Sequence, residues 1–164
     1  MLDYNTAMKK FELTLKSSKE LAPNVKHFVF TRNDGETLDF IPGHFVTFLL
    51  DSEQGLKRRS YSIASIPGQT EDVEIAISFV DGGIASKTFF NLNIGDTLNS
   101  SGPFGRLILR PDETPRQYVL VATGTGVAPY RAMLPEIRKT PSRRRRPSGS
   151  FTAGCPVSTR FALR

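Results

Sequence analysis

Arg59, Ser60, Tyr61 and Ser62 put a guanidinium fork, an aromatic ring and a hydroxyl on one short extended segment, with Ile63, Ala64 and Ser65 behind it. A guanidinium offers planar paired donors that match a pyrophosphate, a geometry lysine does not reproduce. An aromatic ring two residues away can lie against a flat ligand, adding about 0.5 to 1.5 kcal/mol beyond area burial. The run Gly124, Thr125, Gly126, Val127, Ala128, Pro129 begins 62 residues after Ser62. Its glycines let the phosphates of a dinucleotide approach the backbone at a turn into a helix. Together the two runs suggest the halves of a flavin and nicotinamide site.

The elements that must carry these groups differ between the two halves. From residue 10 to 110 the chain is a succession of short β patterns separated by turn residues, which favours a barrel or sandwich over helices. Phe11, Leu13 and Leu15 alternate with Glu12, Thr14 and Lys16, as in a half-buried strand. Residues 25–31, 44–50 and 73–80 read as further strands and 107–109 as a last short one. Pro42-Gly43, Pro67-Gly68, Asp81-Gly82-Gly83 and Gly95-Asp96 punctuate them. Between Ser86 and Leu92 the period changes to one suited to one or two helical turns. From Gln117 the pattern changes again. Residues 118–122 are a continuous apolar run expected of a strand buried on both faces, and 130–139 have helical spacing with Pro129 near the start. Strand, glycine turn and helix form the opening unit of an α/β nucleotide-binding domain. No internal repeat is present.

The 164 residues, 38% of them hydrophobic, can hold one domain of ordinary size and the beginning of another. The net charge of +6 is local: residues 138–164 hold eight Lys or Arg and no acid, while the remainder carries 14 basic and 16 acidic side chains. The basic run Arg143, Arg144, Arg145 and Arg146 has no interleaved aromatics and no nucleic-acid motif, so residues 141–164 read as a basic tail without regular structure. The loss of acids and of periodicity after Arg138 also suggests a shifted reading frame near 138–143. A single cysteine, Cys155, excludes an intramolecular disulfide and a multi-thiolate metal site, and reads as incidental. The cytoplasm is the default compartment. The N-terminus lacks the apolar core of a signal peptide, and no stretch approaches a membrane span. His27 and His44 sit in strands with no partner cluster in view, which points to packing or surface roles.

Four motifs in order, covering about residues 8 to 139, resemble the ferredoxin-NADP reductase family. That family's Arg-x-Tyr-Ser segment, which binds FAD on a six-stranded antiparallel barrel, corresponds to Arg59, Ser60, Tyr61 and Ser62. Gly83, Ile84, Ala85 and Ser86 look like its second flavin segment. Gly102, Pro103, Phe104 and Gly105, read as a structural turn, precede the expected last barrel strand. The turn from Thr123 through Gly124 and Gly126 to Pro129 is similar to the nicotinamide-nucleotide loop.

The resemblance implies a mainly β fold. A six-stranded antiparallel Greek-key barrel would bind FAD over residues 8–112, followed at 116–140 by the first βα unit of an incomplete α/β nucleotide-binding domain. It also implies roles: Arg59 on the flavin phosphates, Tyr61 against the isoalloxazine, and Ser62 near the flavin N5 edge. The Ser86 hydroxyl and the nearby backbone N–H groups would face the same pyrophosphate, with Lys87 adding charge. Thr123 would sit at the nicotinamide or flavin edge, and no residue is a metal ligand. The implied activity is hydride transfer between NADPH and FAD, with electron exchange to ferredoxin or flavodoxin. The alternatives are the reductase module of an oxygenase, a free-flavin reductase, or a non-catalytic or defective FAD-binding fragment. The last is motivated by the 35 residues that follow Pro129, which would leave the strand at 118–122 without sheet neighbours and with exposed apolar edges. No nucleic-acid or membrane partner is expected, and the oligomeric state is open.

Overall fold

The computed structural model describes residues 9–113, 115 and 117–139; the expected basic tail at 141–164, with its arginine run and Cys155, lies outside the described residues. Six strands come first to last as β1 (Lys10–Ala22), β2 (Val25–Arg32), β3 (Phe45–Leu50), β4 (Lys57–Ser62), β5 (Val73–Ser78) and β6 (Thr97–Phe104), with helix α1 (Ile84–Phe90) between β5 and β6. A single 3₁₀ turn, Gly124–Val127, then leads into helix α2 (Ala128–Lys139). The strands form one antiparallel sheet in the order β4-β3-β6-β1-β2-β5.

Period-2 alternation sets the core. Phe11, Leu13 and Leu15 of β1, Phe28 and Phe30 of β2, and Val73, Ile75 and Ile77 of β5 are all buried, while their neighbours point outward. Helix α1 closes this core with one side chain. The Phe89 ring lies 5.0 to 6.2 Å from those of Phe28, Phe30, Phe48 and Tyr61, tilted or edge-on to each. The outer strands β4 and β5 are joined through the segment that follows β4. Ala64 N–H donates to the Glu74 carbonyl at 2.7 Å, and the buried Ser65 hydroxyl donates to the Asp72 carbonyl and accepts from Glu74 N–H, each at 2.7 Å. The sheet thus curls into a barrel that no β4–β5 ladder closes, its seam bridged by the bonds at residues 64–74.

Two expected elements differ. The sixth strand is β6, and residues 107–109 are not a strand. β6 runs through Asn99, Ser100 and Ser101, which carry no apolar alternation, yet Ser100 and Ser101 are buried between β1 and β3. The residues Gly102, Pro103 and Phe104, expected as a turn, are the end of this strand. Phe45 pairs with Phe104 and Thr47 with Ser101, so β6 carries one extra residue, a bulge that Gly102 accommodates at φ +145°. The apolar run at 118–122 lies in no strand, and Val119 and Val121 are 75% and 77% exposed. A strand exists only in a ladder, and no described strand lies beside this one. Tyr118, Leu120 and Ala122, between and beside the two exposed valines, are half-buried.

Helix α2 docks on the barrel through buried Ala128, Pro129, Ala132 and Met133. Gly43 marks the tightest approach. At φ +102° it has no room for a side chain, since a Cβ there would lie 1.7 Å from the Leu107 carbonyl oxygen and 2.5 Å from Met133 Cε. Among the described residues no helix is long and apolar enough to cross a membrane.

Candidate functional site

Strand β4 pairs with β3 so that Arg59 faces Phe48 and Tyr61 faces Val46. Alternation puts Arg59 and Tyr61 on one face of the strand, with Ser60 and Ser62 on the other. Arg59 is exposed, and its guanidinium donates to the Arg58 carbonyl at 2.8 Å. It lines an open cleft of about 840 Å³ together with Lys57, Asp51 and Glu53 on one side and Gly83 and Lys87 on the other. Among the described residues, Lys57, Arg59 and Lys87 have no ion-pair partner within 4.0 Å. Three unpaired cations against two carboxylates make the cleft a donor-rich, net positive surface suited to an anion.

Tyr61 sits further along the same face. Its ring stands edge-on to Phe48 at 6.1 Å and to Phe89 at 5.4 Å, which fixes its orientation through the barrel core. Burial pushes its phenol above the ordinary range, against a smaller downward pull from the Arg59 charge. The ring therefore stays neutral at physiological pH.

The remaining predicted residues divide. Gly83 and Ile84 line the cleft, while Ala85 packs toward the core. Ser60 shares a 2.9 Å hydroxyl contact with the buried Thr47, a cross-strand bond on the face away from Arg59. Ser62 is half-buried at the end of β4, opposite Phe45, next to the bond from Ile63 N–H to the His44 carbonyl. Ser86 is 3% exposed, and its hydroxyl accepts Val80 N–H at 2.7 Å, which anchors the loop before α1. Thr123 precedes the 3₁₀ turn with no side-chain cap, Gly124 adopts φ +53°, and Gly126 N–H donates to the Thr123 carbonyl at 3.0 Å. This turn lies beside β5 and does not line the Arg59 cleft.

Sequence reasoning missed two groups. The loop residues Asp51 and Glu53 and the strand residue Lys57 line the cleft, and the only signal was a polar run between two strands. The second group corrects the reading of His27. Its Nε2 lies 2.8 Å from Glu74 Oε2, and the same oxygen accepts from Arg131 of α2 at 2.7 Å. Burial alone would raise the Glu74 carboxyl, but the His27 hydrogen bond and the Arg131 charge outweigh it and hold the group below its ordinary value. His44 has a quieter place, its Nδ1 accepting Ile41 N–H at 3.3 Å, with burial pushing its ring below the ordinary histidine range.

A six-stranded antiparallel barrel with a cationic cleft between its edge strand and a short helix, followed by a glycine turn and helix, defines the class of flavin-dinucleotide-binding oxidoreductase domains. Residues 12–108 match the oxidoreductase FAD-binding domain family, and the chain belongs to it, within the ferredoxin-NADP reductase family. The chain is 39% identical over 124 residues to ferredoxin-NADP reductase B of Sorangium cellulosum, covering 76% of this chain and 50% of that relative. It is 32% identical over 153 residues to a terephthalate 1,2-dioxygenase reductase component of Comamonas, covering 88% and 44%. A ferredoxin-NADP reductase structure from Neisseria gonorrhoeae, with bound FAD and NADP, superposes with a TM-score of 0.67 at 26% identity, over 80% of this chain and 54% of that one. The chain thus spans about half the length of the relatives it matches.

Proposed function

We propose that this chain binds FAD in the Arg59 cleft and serves as the flavin half of an oxidoreductase that moves reducing equivalents between NADPH and a small electron carrier. When bound, FAD supplies the exchange of two-electron for one-electron chemistry. The chain's own residues bind and orient it. Arg59, Lys57 and Lys87 hold the pyrophosphate, the backbone at Gly83 and Ile84 borders it, and Tyr61 sets the plane of the ring. Ser62 offers a hydroxyl at the far end of the segment. Thr123, Gly124 and Gly126 are the contact for the nicotinamide nucleotide. By this reading the barrel is a unit over about residues 8–112, and 116–140 begin the nucleotide-binding unit.

The observation that carries the reading is the donor set of the cleft: a guanidinium and two ammonium groups without ion-pair partners among the described residues, on the strand face shared with an oriented Tyr61 ring. That set matches a pyrophosphate tied to a flat ring. The electron partner is a ferredoxin or flavodoxin. The Comamonas relative, a dioxygenase reductase component, favours a second reading in which an oxygenase component receives the electrons.

The first test is the absorbance spectrum of the purified chain titrated with FAD. A saturable yellow complex with one FAD per chain is expected, and a folded chain that retains none at saturating FAD overturns the assignment. Anaerobic NADPH then separates catalytic from non-catalytic forms. Rapid bleaching is expected of the oxidoreductase, and a yellow chain that does not bleach is a binding fragment only.

A further inference from the structure

Arg131 joins the helix after the glycine turn to the barrel seam by hydrogen bonds. Its Nη1 donates to the Ala64 carbonyl at 2.5 Å and to Glu74 Oε2 at 2.7 Å. Both partners belong to the seam, for Ala64 N–H donates to the Glu74 carbonyl and Ser65 bridges Asp72 to Glu74. Glu74 is held from the other side by His27 at 2.8 Å, so one carboxylate oxygen links α2, β5 and β2. The side chains of His27 and Glu74 are only 14% and 13% exposed, and that of Arg131 37%. This is no free surface pair, because solvent has limited access to the acceptor and the donor also satisfies a main-chain carbonyl.

The covalent neighbours of these contacts give them meaning. Ala64 lies two residues beyond Ser62, at the end of the segment that begins with Arg59. Arg131 lies five residues after Gly126, in the first turns of α2. We propose that Arg131 is a positioning residue: by gripping Ala64 and Glu74 it fixes the glycine turn relative to the Arg59–Ser62 segment, so that order at one site is transmitted to the other. This rests on the flavin reading given above. The second contact of α2, Met133 against Gly43, is a matter of shape and carries no such link to the Arg59–Ser62 segment. Removing Arg131 should therefore free the link while leaving α2 docked through its buried residues Ala128, Pro129, Ala132 and Met133.

The test is amide hydrogen exchange on the full chain with and without FAD, for the parent chain, Arg131→Met, Arg131→Lys and Glu74→Gln. In the parent chain FAD is expected to slow exchange across residues 124–139 by at least about threefold. In Arg131→Met those amides should exchange faster by about the same factor or more, with or without FAD, while β1, β2 and β6 keep their protection and FAD still binds. Arg131→Lys, which keeps the charge on a shorter reach, should recover part of the FAD-dependent slowing, and Glu74→Gln should fall between. Exchange at 124–139 in Arg131→Met within about twofold of the parent chain in both states overturns the inference. So does FAD binding to the parent chain without slowing of these amides. If the parent chain binds no FAD, the flavin reading fails by itself, and the FAD-free comparison of Arg131→Met with the parent still decides whether Arg131 holds the helix.

Discussion

The barrel and the glycine-turn helix are held by different kinds of contact. In the barrel, four aromatic rings meet around Phe89, alternating residues of β1, β2 and β5 are buried, and every buried described side-chain nitrogen or oxygen has a hydrogen-bond partner. The helix half has four buried residues in α2, a tight steric contact at Gly43, the Arg131 hydrogen bonds to the seam, and a hydrogen bond within the half from Tyr130 Oη to the Val121 carbonyl. Val119 and Val121, just before the turn, are solvent-exposed. A region stabilised by many shared contacts unfolds as a unit, whereas one held at a few points opens locally at lower free energy. The Arg59 cleft belongs to the first kind and the glycine turn to the second.

The most severe break in this contrast is Phe89→Ala. Truncating a ring that touches four others in the core should cost about 3 to 5 kcal/mol of stability. Because Tyr61 leans on Phe89 at 5.4 Å, FAD affinity should fall with it. Denaturant unfolding monitored by tyrosine fluorescence would measure the loss. A stability change below about 1 kcal/mol would mean that Phe89 does not organise the core. Gly43→Ala comes next and acts on the junction. Strain at a positive φ plus overlap with Leu107 and Met133 should cost about 2 to 4 kcal/mol, and limited proteolysis should cut first around residues 113–123. Uniform loss of the barrel with no earlier cut would show that the two regions are one cooperative unit.

The cleft itself is sharpened by Arg59→Ala and Arg59→Lys. Arg59 is exposed and carries no packing load, so both variants should fold like the parent chain. Loss of a charge-assisted pair of hydrogen bonds predicts about 10- to 100-fold weaker FAD binding for alanine, with lysine between. Equal affinity of all three chains, measured by flavin fluorescence quenching, would place the pyrophosphate elsewhere.

What could be read from the sequence follows from the kind of signal each region writes. Strands β1, β2 and β5 announce themselves by alternation, β3 by a mostly apolar run, and both helices by a change of period. β6 does not, because Ser100 and Ser101 are buried by pairing between two strands and not by their own hydrophobicity. The run at 118–122 has the composition of a buried strand, but composition cannot say whether a neighbouring strand is present. In the site, Arg59 and Tyr61 were legible because period 2 alone puts them on one face. The bond that the Ser86 hydroxyl accepts from a backbone N–H six residues back is a contact of the folded loop and could not be read from the sequence. The His27, Glu74 and Arg131 cluster comes from three elements and is invisible until they are folded together.

The smallest expected effect probes that cluster by acid. The Glu74 carboxyl lies below its ordinary value near 4.5 in the folded chain, since His27 and Arg131 outweigh its burial. A carboxylate whose folded pKa is depressed stabilises the fold above its unfolded value, and that contribution disappears as pH falls through the folded pKa. The helix contact should therefore be constant from neutral pH down to about 4.5 and weaken below it, by about 1 kcal/mol or less for a partly accessible pair. Asp34, also depressed, first by its hydrogen bond to Arg32, titrates in the same acid range but makes no contact with α2. Amide exchange at 124–139 measured from pH 6 to 3.5, corrected for the intrinsic pH dependence of exchange, separates the two. Glu74→Gln should abolish the acid-dependent step in that segment, and Asp34→Asn should leave it in place. If the step survives Glu74→Gln, acid acts on the helix through some other group, and the contrast between a core-held barrel and a charge-latched helix loses its electrostatic half.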